Sequence, residues 1–372
     1  MRIERLELRL LKLPLVHFFE TSFVRIDSKQ FILVRADGDG VTGYGECVAD
    51  VDPYYSSETN ETCWHIIADF IAPRVIGVDF AHPCDVFPAL KAIRGHNMAK
   101  AAVEMAAWDL YAKQRGEPLC RTLGGTRDRI ASGVSIGIQN TLDELVAKVE
   151  RELAAGYRRI KIKIKPGWDV DAVEIIRKRF GDVAMMVDAN AAYSMTDADH
   201  LARLDAHGLM MIEQPLDYDD VADHASLQRR LATAICLDES IKTVGIAREA
   251  IAAGACRIIN IKPGRVGGIA ESIKLHDLCA AHNVPVWHGG MLESGIGRAA
   301  NVHMSTLPNF TLPGDIAASK RYFDPDLIEP PIEVAADGTI EVPTGAGIGV
   351  TIRDDRVERA TLKRAVLEAV RA

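Results

Sequence analysis

The 372-residue chain carries 44 Lys and Arg against 52 Asp and Glu, a net charge of -8 with both signs interspersed. No basic stripe marks a nucleic-acid surface, and no run approaches the roughly 18 apolar residues of a membrane helix, so neither nucleic acid nor membrane is expected as a partner. Its 7 cysteines form no CxxC pair and mostly sit in apolar frames, which argues against a disulfide scaffold or zinc site and for reduced core thiols. Met1 to Leu6 alternates charge and apolarity without the continuous apolar segment of a signal peptide, so a cytoplasmic location is expected.

Apolar residues alternate over Ile3 to Leu10, and the runs Phe31 to Ala36 and Val41 to Cys47 flank the turn composition Asp37-Gly38-Asp39-Gly40. This predicts a small antiparallel sheet. Helical periodicity follows over Glu61 to Ile76 and over Ala99 to Arg115, the latter offering Met98, Val103, Met105, Trp108 and Tyr111 to a core. Gly124-Gly125 then punctuates the chain. An α+β unit is expected over residues 1–125, with Phe18 to Phe23 and Asp52-Pro53-Tyr54-Tyr55 as loops.

From there short apolar runs recur, closed by Lys163, Asp188, Glu213, Asp238 and Lys262 at intervals of 25, 25, 25 and 24 residues. An apolar run without polar alternation is what a parallel strand covered on both faces requires. Helical patterns separate the runs, as over Asp171 to Phe180 and Glu271 to His282. One strand and one helix per 25 residues is the repeat of a (β/α)8 TIM barrel, whose active site is built at the carboxyl ends of its strands. The first strand is predicted at Val134 to Ile138, the second at Arg159 to Ile164, the seventh at Val284 to His288 and the eighth near Phe310 to Leu312. Beyond Arg321 the pattern breaks into short strands separated by Pro330, Pro331, Asp337-Gly338 and Gly345 to Gly349. The fold class is therefore α/β: a modified barrel over residues 126–320, with residues 321–372 returning to the α+β capping unit.

Lys161, Lys163 and Lys165 share one strand face. Three lysines can be a solvated edge, but Lys163 stands one repeat before Asp188. Beside another cation in a poorly solvated pocket it would have a lowered pKa and serve as a base. Taken singly, Asp188, Glu213 or Asp238 reads as a helix N-cap or loop acid. Three at equal spacing converge at one mouth of the barrel and repel unless a cation neutralises them, and all-oxygen ligands suit a hard ion such as Mg²⁺. Lys262 lies four strand steps of eight from Lys163, across the site. A metal holding a substrate carboxylate, with one lysine on either face, can support removal of the proton α to that carboxylate.

These frames, Lys161-Ile162-Lys163, Asp188-Ala189-Asn190, Glu213-Gln214-Pro215, Asp238-Glu239-Ser240 and Asn260-Ile261-Lys262-Pro263-Gly264, resemble the muconate cycloisomerase subgroup of the enolase superfamily over essentially the whole chain. Trp287 to Arg298 and Leu307 to Asp315 are similar to its o-succinylbenzoate synthases that also racemise N-succinylamino acids. The resemblance implies Lys163 and Lys262 as acid/base pair, with Lys161, Asn190 and Arg265 supporting them. It implies Mg²⁺, or Mn²⁺ or another divalent cation, on Asp188, Glu213 and Asp238. Substrate contacts are expected from Ser135, Gly290, Met291 and Leu292, with a small carboxylate carrying a succinyl group as partner and a homo-oligomer as assembly.

Alternatives stay open at this point. Matching Lys165-Pro166-Gly167 to Lys262-Pro263-Gly264 would move the base to Lys165, though the 25-residue step favours Lys163. A dipeptide epimerase would need paired acids after strand eight, where only Asp315 stands, and muconate cycloisomerase fits the core alone. A metal-free barrel using Lys163 or Lys262 as a Schiff-base nucleophile, or a non-catalytic binding protein, are readings of other classes. Gly295-Ile296-Gly297-Arg298-Ala299-Ala300 matches a dinucleotide fingerprint but lies in the seventh barrel loop, with no Rossmann unit around it. His288 is expected as a pocket or structural residue, and Glu20 is not expected to touch an anionic substrate.

Overall fold

Alternating apolar residues persist past Leu10 as Leu11, Leu13 and Leu15, and in the computed structural model, which describes residues 1–369, the strand persists with them. Strands β1 (Arg5–Glu20) and β2 (Arg25–Gly38) form one long antiparallel hairpin, with β3 (Val41–Cys47) beside β2. The expected loop over Phe18 to Phe23 is thus strand through Glu20 and turn only from Thr21. Pairing continues through Pro14 with Ser28 and, after an irregular stretch, resumes at Phe19 with Ile26. Both faces of the sheet are buried: Leu6, Leu8, Leu10, Ile32 and Val34 pack into the capping core, while Leu11, Leu13, Phe31 and Leu33 join the barrel core.

Helix α1 (Asn60–His65) runs through a π turn (Ile66–Ile71) into Ala72–Val75, and α2 (Asn97–Gln114) crosses the sheet. The alanines of α2 and glycine at 45 let the backbones touch; a Cβ at Gly45 would lie 2.0 Å from Ala102 O. The far end of the chain, β11 (Thr361–Glu368), pairs antiparallel with β1, Arg5 opposite Glu368, giving the sheet order β11-β1-β2-β3. Buried Glu7 accepts hydrogen bonds from Arg9 and Arg364, fastening that strand.

Seven parallel strands follow in sequential order: β4 (Gly133–Ile136), β5 (Arg159–Lys163), β6 (Ala184–Asp188), β7 (Ile212–Glu213), β8 (Ile235–Leu237), β9 (Ile258–Ile261) and β10 (Val286–His288). Helices including α3 (Leu142–Ala154), α4 (Val170–Phe180), α5 (Ile269–Ala281) and α6 (Gly295–Met304) cover them. The eighth strand does not form. Pro308 and Pro313 lack the N–H that a ladder needs, and residues 308–314 make only single bridges, Phe310 with Val286 and Gly314 with Ser132. Those two bridges close the curled sheet. Its floor is an apolar plug of Met186, Met211, Cys236, Ile258 and Trp287. All seven cysteines are free, and among the described residues no helix is long and apolar enough to cross a membrane.

Candidate active site

Parallel register sets the level of the charged side chains. Lys163 pairs with Asp188, and Asp188 with Glu213, on successive strands. Side-chain alternation turns Lys161 and Lys163 inward together above Trp287, whose ring lies 5.0 Å from the Lys161 ammonium. Lys161 Nζ donates to Asp188 Oδ2 (3.0 Å) and Glu213 Oε2 (2.9 Å) and pairs with Asp315 Oδ2 (2.5 Å). Lys163 Nζ donates to the same Asp188 Oδ2 (2.6 Å) and to Asn190 Oδ1 (2.6 Å). Asn190 in turn donates from Nδ2 to Glu239 Oε1 at 2.9 Å.

Lys262 ends β9. Its Nζ donates to Asp238 Oδ2 (2.7 Å) and to the Tyr55 hydroxyl (3.1 Å), a residue of the capping unit. Arg265, expected to support this lysine, is buried and holds Asp238: Nη1 pairs with Asp238 Oδ1 while Nε donates to Ile241 O at 2.8 Å. Lys163 and Lys262 line the same two cavities. The larger, about 350 Å³, is walled by Gly290, Met291 and Leu292, by Phe19 and Phe23 of the hairpin tip, and by Tyr55. The smaller, about 60 Å³, adds Ser135, Lys161 and Asp315. Ser135 Oγ is buried there without a partner.

Burial alone would lower the pKa of Lys161, but Asp315, Glu213 and Asp188 raise it; for Lys262, burial is likewise outweighed by Tyr55, Glu213 and Glu239. Burial pushes Glu213 up, and Asp188 adds to the rise; burial would raise Asp188 too, yet Lys163 and Lys161 hold it well below the usual carboxylate range. Five buried cations, Arg159, Lys161, Lys163, Lys262 and Arg265, thus interleave with five carboxylates, Asp188, Glu213, Asp238, Glu239 and Asp315. The layer is formally neutral. Among the described residues no three acid, His or Cys side chains are gathered closely enough to hold an ion as they stand. The reason is geometric: ammonium and guanidinium groups lie between the carboxylates expected as ligands. The donor set itself suits a hard divalent ion, being all oxygen, and two buried oxygens of the layer, Glu239 Oε2 and Asn260 Oδ1, have no donor.

Glu239, Asp315 and Arg159 belong to this layer without having been expected in it, and Tyr55 joins it from a stretch expected as a loop. Glu239 follows an expected ligand directly and Asp315 follows Pro313-Gly314, signals too common to be read alone. Asp315 bonds Arg159 (2.7 Å) and Lys161, so it is not free to hold a peptide amine. Lys165 sits in a turn opposite Trp168 and lines neither cavity. His288 also lines neither; its ring stacks on Phe310 at 5.9 Å, and burial brings its pKa down to about 4. The glycine motif at Gly295 opens α6, whose first turn is already filled by a capping-unit carboxylate. Glu46 accepts from Ser294 N, Ser294 Oγ and Gly297 N. A Cβ at Gly137 would lie 2.6 Å from Glu20 O, so the hairpin tip rests on the end of β4, and Glu20 meets the barrel through its backbone.

Residues 7–124 match the family described as mandelate racemase / muconate lactonizing enzyme, N-terminal domain, and residues 144–356 match the enolase C-terminal domain-like family. An o-succinylbenzoate synthase of Geobacillus kaustophilus is 54% identical over 360 residues, 96% of either chain. An N-succinylamino acid racemase of Thermus thermophilus is 47% identical over 369 residues, covering 99% of this chain and 100% of its own. A solved structure of an enolase-superfamily member from Listeria innocua matches with TM-score 0.95 at 39% identity, over 99% of each chain. With both domains matched, relatives of this identity along its full length and the barrel's charged layer in place, the chain belongs to the enolase superfamily of lyases and isomerases.

Proposed function

We propose that this enzyme removes the proton α to the carboxylate of a small succinyl-bearing acid, acting as an o-succinylbenzoate synthase, an N-succinylamino acid racemase, or both. One observation carries the reading: Lys163 and Lys262 reach the same two cavities from β5 and from the end of β9, each already bonded to a carboxylate. Enolase-superfamily enzymes use a divalent metal. Here Asp188, Glu213 and Asp238 would hold Mg²⁺, with Mn²⁺ or another divalent cation as substitutes. Bound there, the ion would stabilise the charge that develops on the substrate carboxylate as the proton leaves. The charge balance suits this, since a divalent ion and a substrate with two carboxylates leave a neutral layer neutral.

In the dehydration, Lys163 takes the α proton and returns it to the leaving hydroxyl, while Lys262 stays charged beside the enolate. In the racemisation, one lysine takes the proton from one face and the other delivers a proton to the opposite face. Asn190 aims Lys163, Lys161 holds Asp188 and Glu213 together, and Arg265 fixes Asp238. Ser135 Oγ, Gly290, Met291 and Leu292 shape the substrate wall. A capping unit over residues 1–125, a barrel over 126–320, a returning segment over 321–372 and a cytoplasmic homo-oligomer complete the reading. Asp315, bonded to two cations, speaks against a dipeptide epimerase.

The test is α-proton exchange in D₂O with Mg²⁺ and an N-succinylamino acid. Exchange and racemisation by wild type, lost on chelation and without trapping by borohydride, support the reading. No exchange at either enantiomer sinks the substrate class.

A further inference from the structure

The two lysines are aimed by partners of different origin. Around Nζ of Lys163, two of the three hydrogen positions are taken by Asp188 and Asn190, both barrel residues, and Asn190 is itself held by Glu239. The third position is left for the cavity. Around Nζ of Lys262, the corresponding pair is Asp238 from the barrel and the Tyr55 hydroxyl from the capping unit. That hydroxyl also donates to Asp238 Oδ1 (3.2 Å) and accepts from Arg265 Nη1 (3.3 Å), and the ring lies 4.7 Å below the Lys262 ammonium. The loop carrying Tyr55 is tied at both ends. Buried Lys29 donates to Val48 O (3.0 Å) and pairs with Asp50, and Asn60 N donates to Asp50 O (2.8 Å).

We infer that Tyr55 is a positioning residue for Lys262 and not for Lys163, so that a capping-unit side chain completes the ammonium contacts of one base while those of the other come from barrel side chains, the capping unit reaching only the Asn190 backbone there through Ser22 Oγ (3.4 Å). The inference rests on the two-base reading above. Proton transfer needs the free position of Nζ aimed at the α-carbon, and two fixed N–H bonds supply that aim. A purely electrostatic role for the Lys262 charge, as in the dehydration, depends little on that aim. Tyr55 therefore weights the enzyme toward racemisation.

The experiment follows α-proton exchange by NMR in D₂O with Mg²⁺, separately for the two enantiomers of one N-succinylamino acid. Lys262→Ala identifies the enantiomer whose proton faces Lys262 as the one whose exchange it abolishes. Tyr55→Phe keeps the ring and removes the hydroxyl. Its exchange at the Lys262 face is expected to fall roughly ten- to a hundredfold, the size of one lost hydrogen bond to a charged group. Exchange at the Lys163 face, which also reports that the variant is folded, and dehydration of the synthase substrate share whatever is lost through Asp238 and the cavity wall, so each should fall at least about fivefold less than exchange at the Lys262 face. Equal losses at both faces, or an unchanged Lys262 face, would overturn the inference while wild-type exchange leaves the proposed function standing. Wild type that exchanges neither enantiomer overturns both.

Discussion

Glu104→Gln probes the junction between the capping unit and the segment that follows Lys262. Glu104 lies on α2, fully buried, and accepts from Ile269 N (2.7 Å) and Ala270 N (2.8 Å) at the start of α5, and from Trp108 Nε1 (2.6 Å). Burial pushes its pKa from 4.5 up to about 7, against the pull of those three donors. A folded-state pKa above the unfolded one means that the folded protein binds the proton more tightly. The stability this contributes is complete below about pH 4.5 and is lost as the pH rises through about 7. The shift is worth about 3 kcal/mol at 1.36 kcal/mol per pKa unit. Glutamine cannot ionise, so its contribution does not change with pH. Urea unfolding of both proteins from pH 4 to 8 should show wild type losing up to about 3 kcal/mol relative to the variant across that interval. Glu46, with a similar rise to about 7, is present in both and cancels. A difference that does not vary with pH would refute burial as the dominant influence on Glu104.

Lys163→Ala and Lys262→Ala should each lower racemisation by about 10²- to 10⁴-fold, the range of general acid–base catalysis, read by polarimetry. Asp315→Asn leaves Arg159 and Lys161 without their shared buried carboxylate and should cost about 3–5 kcal/mol in urea unfolding. Gly137→Ala drives a methyl against Glu20 O, 2.6 Å away; overpacking of this kind costs about 1–3 kcal/mol, and displacement of the hairpin tip should raise KM in steady-state kinetics. Chelation should abolish turnover, and added Mg²⁺ should restore it.

What periodicity can report is the level a side chain reaches. A strand, a helix and two short connections of nearly constant length return the chain to the same height, so a 25-residue step places Lys163, Asp188 and Glu213 in register. Alternation puts Lys161 beside Lys163, and Asn190 lies two residues beyond Asp188, near enough in sequence to be read with it. The eighth strand was not legible in the same way, because its apolar run is flanked by Pro308 and Pro313, which deny a ladder on either side. The hairpin beyond Leu10 was illegible for another reason: the alternation was read only to Leu10 and the aromatic cluster at Phe18-Phe19 read as loop, and only pairing with residues 25–30 extends the strand. Tyr55 marks the limit most sharply. Tyr54 and Tyr55 are indistinguishable by local pattern, yet Tyr54 is 63% exposed while Tyr55 bonds Lys262. Which of the two turns inward is decided by the path of a loop anchored at Lys29 and Asn60, more than 200 residues from the lysine it serves. Spacing within one repeat reveals partners made by that repeat, and it is silent about partners that another folding unit delivers. Where a lysine proposed as a base is bonded by both, as Lys262 is by Asp238 and Tyr55, the sequence shows the candidate and only the fold shows its partners.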